Sequence, residues 1–246
     1  MNRKAILIGS NYDKTISGVM SDIFAWKKFL LSPIGGAWDP DELTILADAQ
    51  KTDNVINAIN SAESADYAFI TFSGHGGTYR QERNHLGFPE TVICLGESEF
   101  LSEYQLNPGR NCPRCTIILD CCRTYINDSD YFTKIASVSE SHEGKLRSYF
   151  RDSFDSALAK SDMGCVKIYA TGINHTASDE NSFSRVLTET SRSYMQGHTC
   201  SVLRLNDAFD IAESEMRKLD PQQQPQYCAG RRHNHFPFAV NPLVFG

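Results

Sequence analysis

Residues 66–77 read DYAFITFSGHGG, and residues 115–124 read CTIILDCCRT. Each stretch is a short apolar run, rich in β-branched and aromatic residues, that stops abruptly in polar chemistry. A run of about 4–8 such residues bounded by turn formers reads as a buried strand, of the kind found in parallel sheets. In open α/β sheets, ligands bind beyond the carboxyl ends of the strands. The first run delivers Ser73-Gly74-His75-Gly76-Gly77 to that edge, and the second delivers Asp120-Cys121-Cys122-Arg123. Alternation along a strand puts residues i and i+2 on one side. Ser73 then shares a side with His75, and Asp120 with Cys122, while Cys121 turns into the opposite layer.

Working outward, strands and helices alternate. Lys4 to Gly9 is a first buried strand with a polar tip, Ser10-Asn11-Tyr12. Ser17 to Leu31 carries Ile23, Trp26, Phe29 and Leu30 at helical spacing, with Asp22 in the first turn, where the helix dipole favours a carboxylate. Leu43 to Leu46 is a second strand, and a helix starts at Thr52. Thr91 to Leu95 and Ser98 to Leu101 suit a small hairpin. Asn127 to Gly144 is polar and aperiodic and reads as a loop. A helix with Leu146, Tyr149, Phe150, Phe154, Ala157 and Leu158 inward follows, then a strand at Cys165 to Thr171. Phe183 to Leu187 and Ala208 to Leu219 lie in two helices, and Phe236 to Val240 closes the chain as an edge strand. This is the order of βαβ units and a mostly parallel sheet. It reads as a single domain over residues 1–246.

Bulk properties narrow the classes. A net charge of −6 argues against non-specific nucleic-acid binding. No apolar run approaches the roughly 18 residues of a membrane span, and the N-terminus lacks a secretory pattern, so a cytoplasmic protein with reduced thiols is expected. Cys112-Pro113-Arg114-Cys115 has half of a zinc spacing, but no second half follows. A nucleotide-binding reading would want G-x-G-x-x-G after the first strand, and Gly9-Ser10-Asn11-Tyr12 breaks it.

A histidine at one strand tip, roughly 50 residues before a cysteine at another, resembles the caspase-like cysteine peptidases. Asp120, two before Cys122, resembles the D-x-C of the metacaspase and orthocaspase branch, and Gly18-Val19-Met20-Ser21-Asp22 is similar to its G-C-x-N-D stretch. The resemblance implies an α/β, caspase-like three-layer sandwich: a six-stranded, mostly parallel sheet flanked by helices. It implies an endopeptidase with His75 as base and Cys122 as nucleophile, and an oxyanion hole made by the N–H groups of Gly76 and Cys122. It further implies a pocket for basic P1 residues lined by Asp22, Asp120, Ser73 and Val19. Its substrate would be a protein or peptide, and an upstream activating protein in a stress or defence pathway would be a partner; neither nucleic acid nor membrane is expected. No cofactor follows with certainty. Calcium is the one the family suggests, with Asp128, Asp130, Glu90, Glu97 and Glu99 as oxygen donors. Lys134 and Lys145 are sites where self-cleavage could act as a switch. The alternative is a catalytically silent binding or scaffolding module on the same fold.

Overall fold

The computed structural model describes residues 1–47, 51–83, 89–125 and 147–243. In chain order the elements are β1 (Arg3–Ser10), α1 (Val19–Leu31), β2 (Leu43–Ala47), α2 (Thr52–Asn60), β3 (Tyr67–Gly74), β4 (Gly76–Arg83), β5 (Pro89–Gly96), β6 (Glu99–Ser102), β7 (Arg114–Asp120), α3 (Arg147–Ala159), β8 (Gly164–Tyr169), α4 (Phe183–Gly197), β9 (Val202–Arg204), α5 (Leu205–Leu219), β10 (Gln226–Cys228) and β11 (Pro237–Val240).

Six strands make the central sheet, in the order β10-β8-β7-β3-β1-β2. Pairs β1–β2, β1–β3, β3–β7 and β7–β8 are parallel, and β10 runs antiparallel to β8. Period-2 alternation sorts the side chains into two cores. Ala5, Leu7, Tyr67, Phe69 and Ile118 face the layer built by α1, α3, α4 and α5. Ile6, Ile8, Ala68, Ile70, Phe72, Ile117 and Leu119 face α2 and the β5–β6 side. Both faces are apolar because both are covered, as a parallel sheet requires. The result is the expected three-layer sandwich.

Several readings of the sequence change. The sixth strand is β10, whereas Phe236 to Val240 forms β11 and pairs with β9 in a separate ribbon. The stretch after His75 is no plain turn: β4 starts at Gly76 and extends the expected hairpin to three strands, β4-β5-β6. Tyr149 lies on the outer face of α3, 70% exposed, while Phe150, Phe154 and Leu158 form its buried stripe. Leu146, the segment Asn127 to Gly144 with Asp128, Asp130 and Lys134, and Lys145 fall outside the described residues. Among the described residues, no helix is long and apolar enough to cross a membrane.

Candidate active site

The site gathers at the C-terminal ends of β1, β3 and β7, and glycine lets it close. Gly74 has φ +153°, and a Cβ there would lie 2.4 Å from the Ser10 carbonyl oxygen. Only glycine lets β3 turn this close to the tip of β1. Gly76 is wedged likewise: a Cβ would meet Cys121 Sγ at 2.5 Å and the Val92 carbonyl at 2.9 Å. Just beyond, Thr78 N–H donates to the Thr124 carbonyl (2.9 Å) and Thr78 Oγ1 to the Arg123 carbonyl (3.0 Å). β4 is thereby sewn to the backbone that follows Cys122, which brings His75 to the cysteine turn.

That turn is bolted from below by Arg123, which is 4% exposed. Its Nε donates to Thr91 Oγ1 (3.0 Å) and its Nη1 to Gln226 Oε1 (2.6 Å), and the guanidinium lies 3.9 Å from the Tyr169 ring centroid. Its own N–H donates to the His175 carbonyl. One buried arginine thus ties the cysteine loop to β5, β8 and β10.

Cys121 is buried in the α2-side core, and that burial drives its thiol well above the ordinary range. Cys122 is half-buried and lines a cleft of about 260 Å³ with Thr15, Ser73, His75, Asp120 and Asp179. Its Sγ accepts a hydrogen bond from Ala177 N–H (3.4 Å). Burial raises the Cys122 pKa; the Ala177 N–H opposes the shift and the Asp120 carboxylate adds to it, and the net is upward. The resting group is therefore the thiol.

On the rim, His75 Nε2 lies 2.9 Å from Asp13 Oδ1 and 2.9 Å from Thr15 Oγ1. Thr15 also donates to Asp13, through its N–H (3.1 Å) and its hydroxyl (2.9 Å). Burial pushes the Asp13 carboxyl up, but the Thr15 and His75 hydrogen bonds outweigh it and hold it below the usual range. A carboxylate accepts only, so Nε2 carries the proton and Nδ1 is left as the basic nitrogen. The Tyr12 ring stands 5.6 Å from the imidazole, centroid to centroid.

Two buried carboxylates floor the cleft. Asp22 Oδ2 accepts from Ser73 Oγ (2.5 Å), and Oδ1 accepts from Ser182 Oγ (2.5 Å) and Arg185 Nε (2.9 Å). Burial is the larger influence and leaves the Asp22 pKa raised despite these partners. Asp120 Oδ2 accepts from Ser184 N–H in the first turn of α4 (2.7 Å). Burial, then the Asp22 charge, push Asp120 up to about 7. Ser182 caps α4 by accepting from Arg185 N–H while its hydroxyl proton goes to Asp22. The helix start and the cleft floor are thus one structure.

The description of the metacaspase, peptidase C14 domain matches residues 3–126, just over half of the chain, and this stretch contains His75, Asp120 and Cys122. The chain belongs to that family. Among solved structures, caspase-1 from Spodoptera frugiperda is 11% identical, aligns over 94% of this chain and 88% of its own, and has a TM-score of 0.58. A protein of Geobacter sulfurreducens is 15% identical over 100% of both chains, with a TM-score of 0.59. At these identities the likeness is one of fold. No curated protein sequence matches the chain. The family is one of cysteine peptidases, on a caspase-like sheet.

Of the residues expected from sequence, His75, Cys122, Asp22, Asp120 and Ser73 line one cleft. Val19 does not: it has no exposed surface, and its Cγ1 would lie 3.1 Å from a Cβ at Gly9, so it packs α1 onto β1 instead of forming a pocket wall. Gly76 pairs with Ile93, and Cys94 N–H donates to the His75 carbonyl. In an antiparallel ladder this makes Gly76 a non-hydrogen-bonded position, whose N–H points away from β5. The calcium donors do not converge among the described residues. Glu99 accepts from Thr52 N–H and Oγ1, Glu90 accepts from Ser102 Oγ, and no group of three or more His, Cys, Asp or Glu there is arranged around a metal. Asp13, Thr15, Asp179, Ser182 and Arg185 are additions that the sequence did not single out. The one available clue was a polar tip after β1, matching those after β3 and β7.

Proposed function

We propose that the protein is a cysteine endopeptidase that cleaves after arginine or lysine, with Cys122 as nucleophile and His75 as general base and acid. The observation that carries it is the shared cleft: a half-buried thiol and an imidazole held by a carboxylate, above two buried carboxylates. His75 Nδ1 takes the Cys122 proton as the sulfur attacks the scissile carbonyl carbon. The Gly76 and Cys122 N–H groups receive the oxyanion. The intermediate collapses as His75 returns the proton to the leaving amine, giving a thioester and a free amino terminus. Water, deprotonated by His75, then hydrolyses the thioester. Asp13 orients the ring and stabilises the imidazolium between the transfers. Asp120 and Asp22 receive the P1 cation, for which a guanidinium fork is well suited. A protein substrate and an activating partner in a stress response fit this activity.

Replacement of cysteines tests it. Cys122→Ala and His75→Ala should each abolish cleavage of a P1-arginine peptide without shifting the melting curve. Cys121→Ala should retain substantial activity, since Cys121 is core. An active Cys122→Ala protein would refute the assignment.

A further inference from the structure

Asp22 is the carboxylate a basic P1 side chain should meet, yet a cation of the chain already holds it. Arg185 Nε donates to Asp22 Oδ1 at 2.9 Å, and the acid is 3% exposed. The same guanidinium donates to the Glu180 carbonyl (3.0 Å) and the Asp179 carbonyl. The Asp179 carboxylate in turn caps the start of α1, accepting from Ser17 N–H (3.0 Å), Ser17 Oγ (3.0 Å) and Gly18 N–H (2.6 Å). The Arg185 side chain keeps 27% exposure, so it has a route to water. Asp120, by contrast, lines the cleft, accepts from the Ser184 N–H, and has no cation partner among the described residues.

We propose that Arg185 is a specificity-determining residue: an internal guanidinium that competes with a basic P1 side chain for Asp22. The proposal rests on the peptidase reading above and names what sets its selectivity. When a P1 cation takes Asp22, one buried pair forms and one breaks. The exchange is close to balanced, because the released arginine is rehydrated while the incoming one is desolvated. A neutral P1 leaves Arg185 in place. Discrimination between basic and neutral substrates then comes from Asp120 alone. Removing Arg185 adds Asp22 to the pocket.

The test compares a P1-arginine peptide with its P1-citrulline isostere, which keeps the shape and loses the charge. Binding to Cys122→Ala protein at pH 8 is measured by fluorescence anisotropy, with and without Arg185→Gln. The expected result is that Arg185→Gln raises the arginine-over-citrulline affinity ratio about tenfold, the scale of one partly buried charge contact. An unchanged or lower ratio, loss of both peptides included, overturns the proposal. A second measurement needs no change at Arg185. Hydrogen exchange across residues 179–185 of the Cys122→Ala protein should quicken with the arginine peptide relative to the citrulline peptide, because displaced Arg185 releases the Asp179 and Glu180 carbonyls. Equal protection by the two peptides overturns the proposal. Wild-type cleavage of neither peptide counts against the peptidase reading, and the comparison of bound peptides still decides the role of Arg185.

Discussion

Charge is buried at both ends of the parallel sheet, matched at one and unmatched at the other. At the start of β1, Arg3 is fully buried, meets Asp155 at 3.2 Å and Glu42 at 3.4 Å, and lies 4.5 Å from the Trp38 ring centroid. Arg151 meets Glu42 at 2.6 Å and Asp39 at 2.9 Å. Burial pushes Glu42 up, but Arg151 and Arg3 outweigh it and its carboxyl lies below the usual range. At the other end, Arg185 pairs with Asp22, no cation among the described residues pairs with Asp120, and both carboxyls are raised. In the first cluster Arg147 also meets Asp39 (3.3 Å), so three arginines answer three acids and the cluster serves the fold. The second holds excess negative charge that costs stability, the arrangement the proposed P1 pocket requires.

Four changes should break or sharpen that contrast. Arg3→Ala leaves Glu42 with Arg151 alone and Asp155 with only the chain's amino terminus (3.3 Å), opens a void under Trp38, and should lower unfolding free energy by about 3–5 kcal/mol in urea titrations. Asp120→Asn should do the reverse above neutrality. The Asp120 pKa in the folded chain, about 7, lies above its ordinary 3.8, so folding favours the protonated form. Its contribution to stability is complete below about pH 4 and is lost as pH rises through 7. Asp120→Asn should therefore match wild type near pH 4 and exceed it at pH 8 by on the order of 2–4 kcal/mol.

The third change probes the rim. Asp13→Asn should lower kcat roughly 10- to 100-fold with little change in KM, since it acts through His75 and does not touch substrate. The smallest effect is on selectivity. The titratable groups that line the cleft with Asp120 are Asp22, His75, Cys121, Cys122 and Asp179, and Arg185 reaches it through Asp22. As pH rises from 6 to 8, Asp120 ionises, and the arginine-over-citrulline ratio of kcat/KM should climb about tenfold. Taking the ratio cancels the pH dependence of the chemical step, which both substrates share. A flat ratio would mean that Asp120 does not read P1 charge.

The strand tips were legible because period 2 survives burial on both faces: the tip polarity of Ser73, His75, Asp120 and Cys122 stands out against apolar runs. β4 was not, since only Thr78-Tyr79 favour a strand between Gly76-Gly77 and the charged Arg80-Gln81-Glu82-Arg83, and the segment is held by β5 and the backbone at Thr124. β10 is three residues long, too short to outrank the more apolar Pro237–Val240. Arg185 was hidden for another reason: Ser182-Phe183-Ser184-Arg185 reads as an ordinary helix start. Only tertiary structure turns its cap, its second N–H and its arginine onto the two aspartates. Asp13 and Thr15 lie in a loop, where sequence carries no periodicity to show which side chain reaches His75.

The central claim is that a thiol at Cys122 works above a pocket made for a cation. It is tested most directly by wild-type kcat/KM on one fluorogenic peptide series that differs only at P1: arginine, lysine, citrulline and aspartate. Arginine and lysine should be cleaved well, citrulline poorly and aspartate not measurably, with all activity lost in Cys122→Ala. Cleavage after aspartate as fast as after arginine would contradict it.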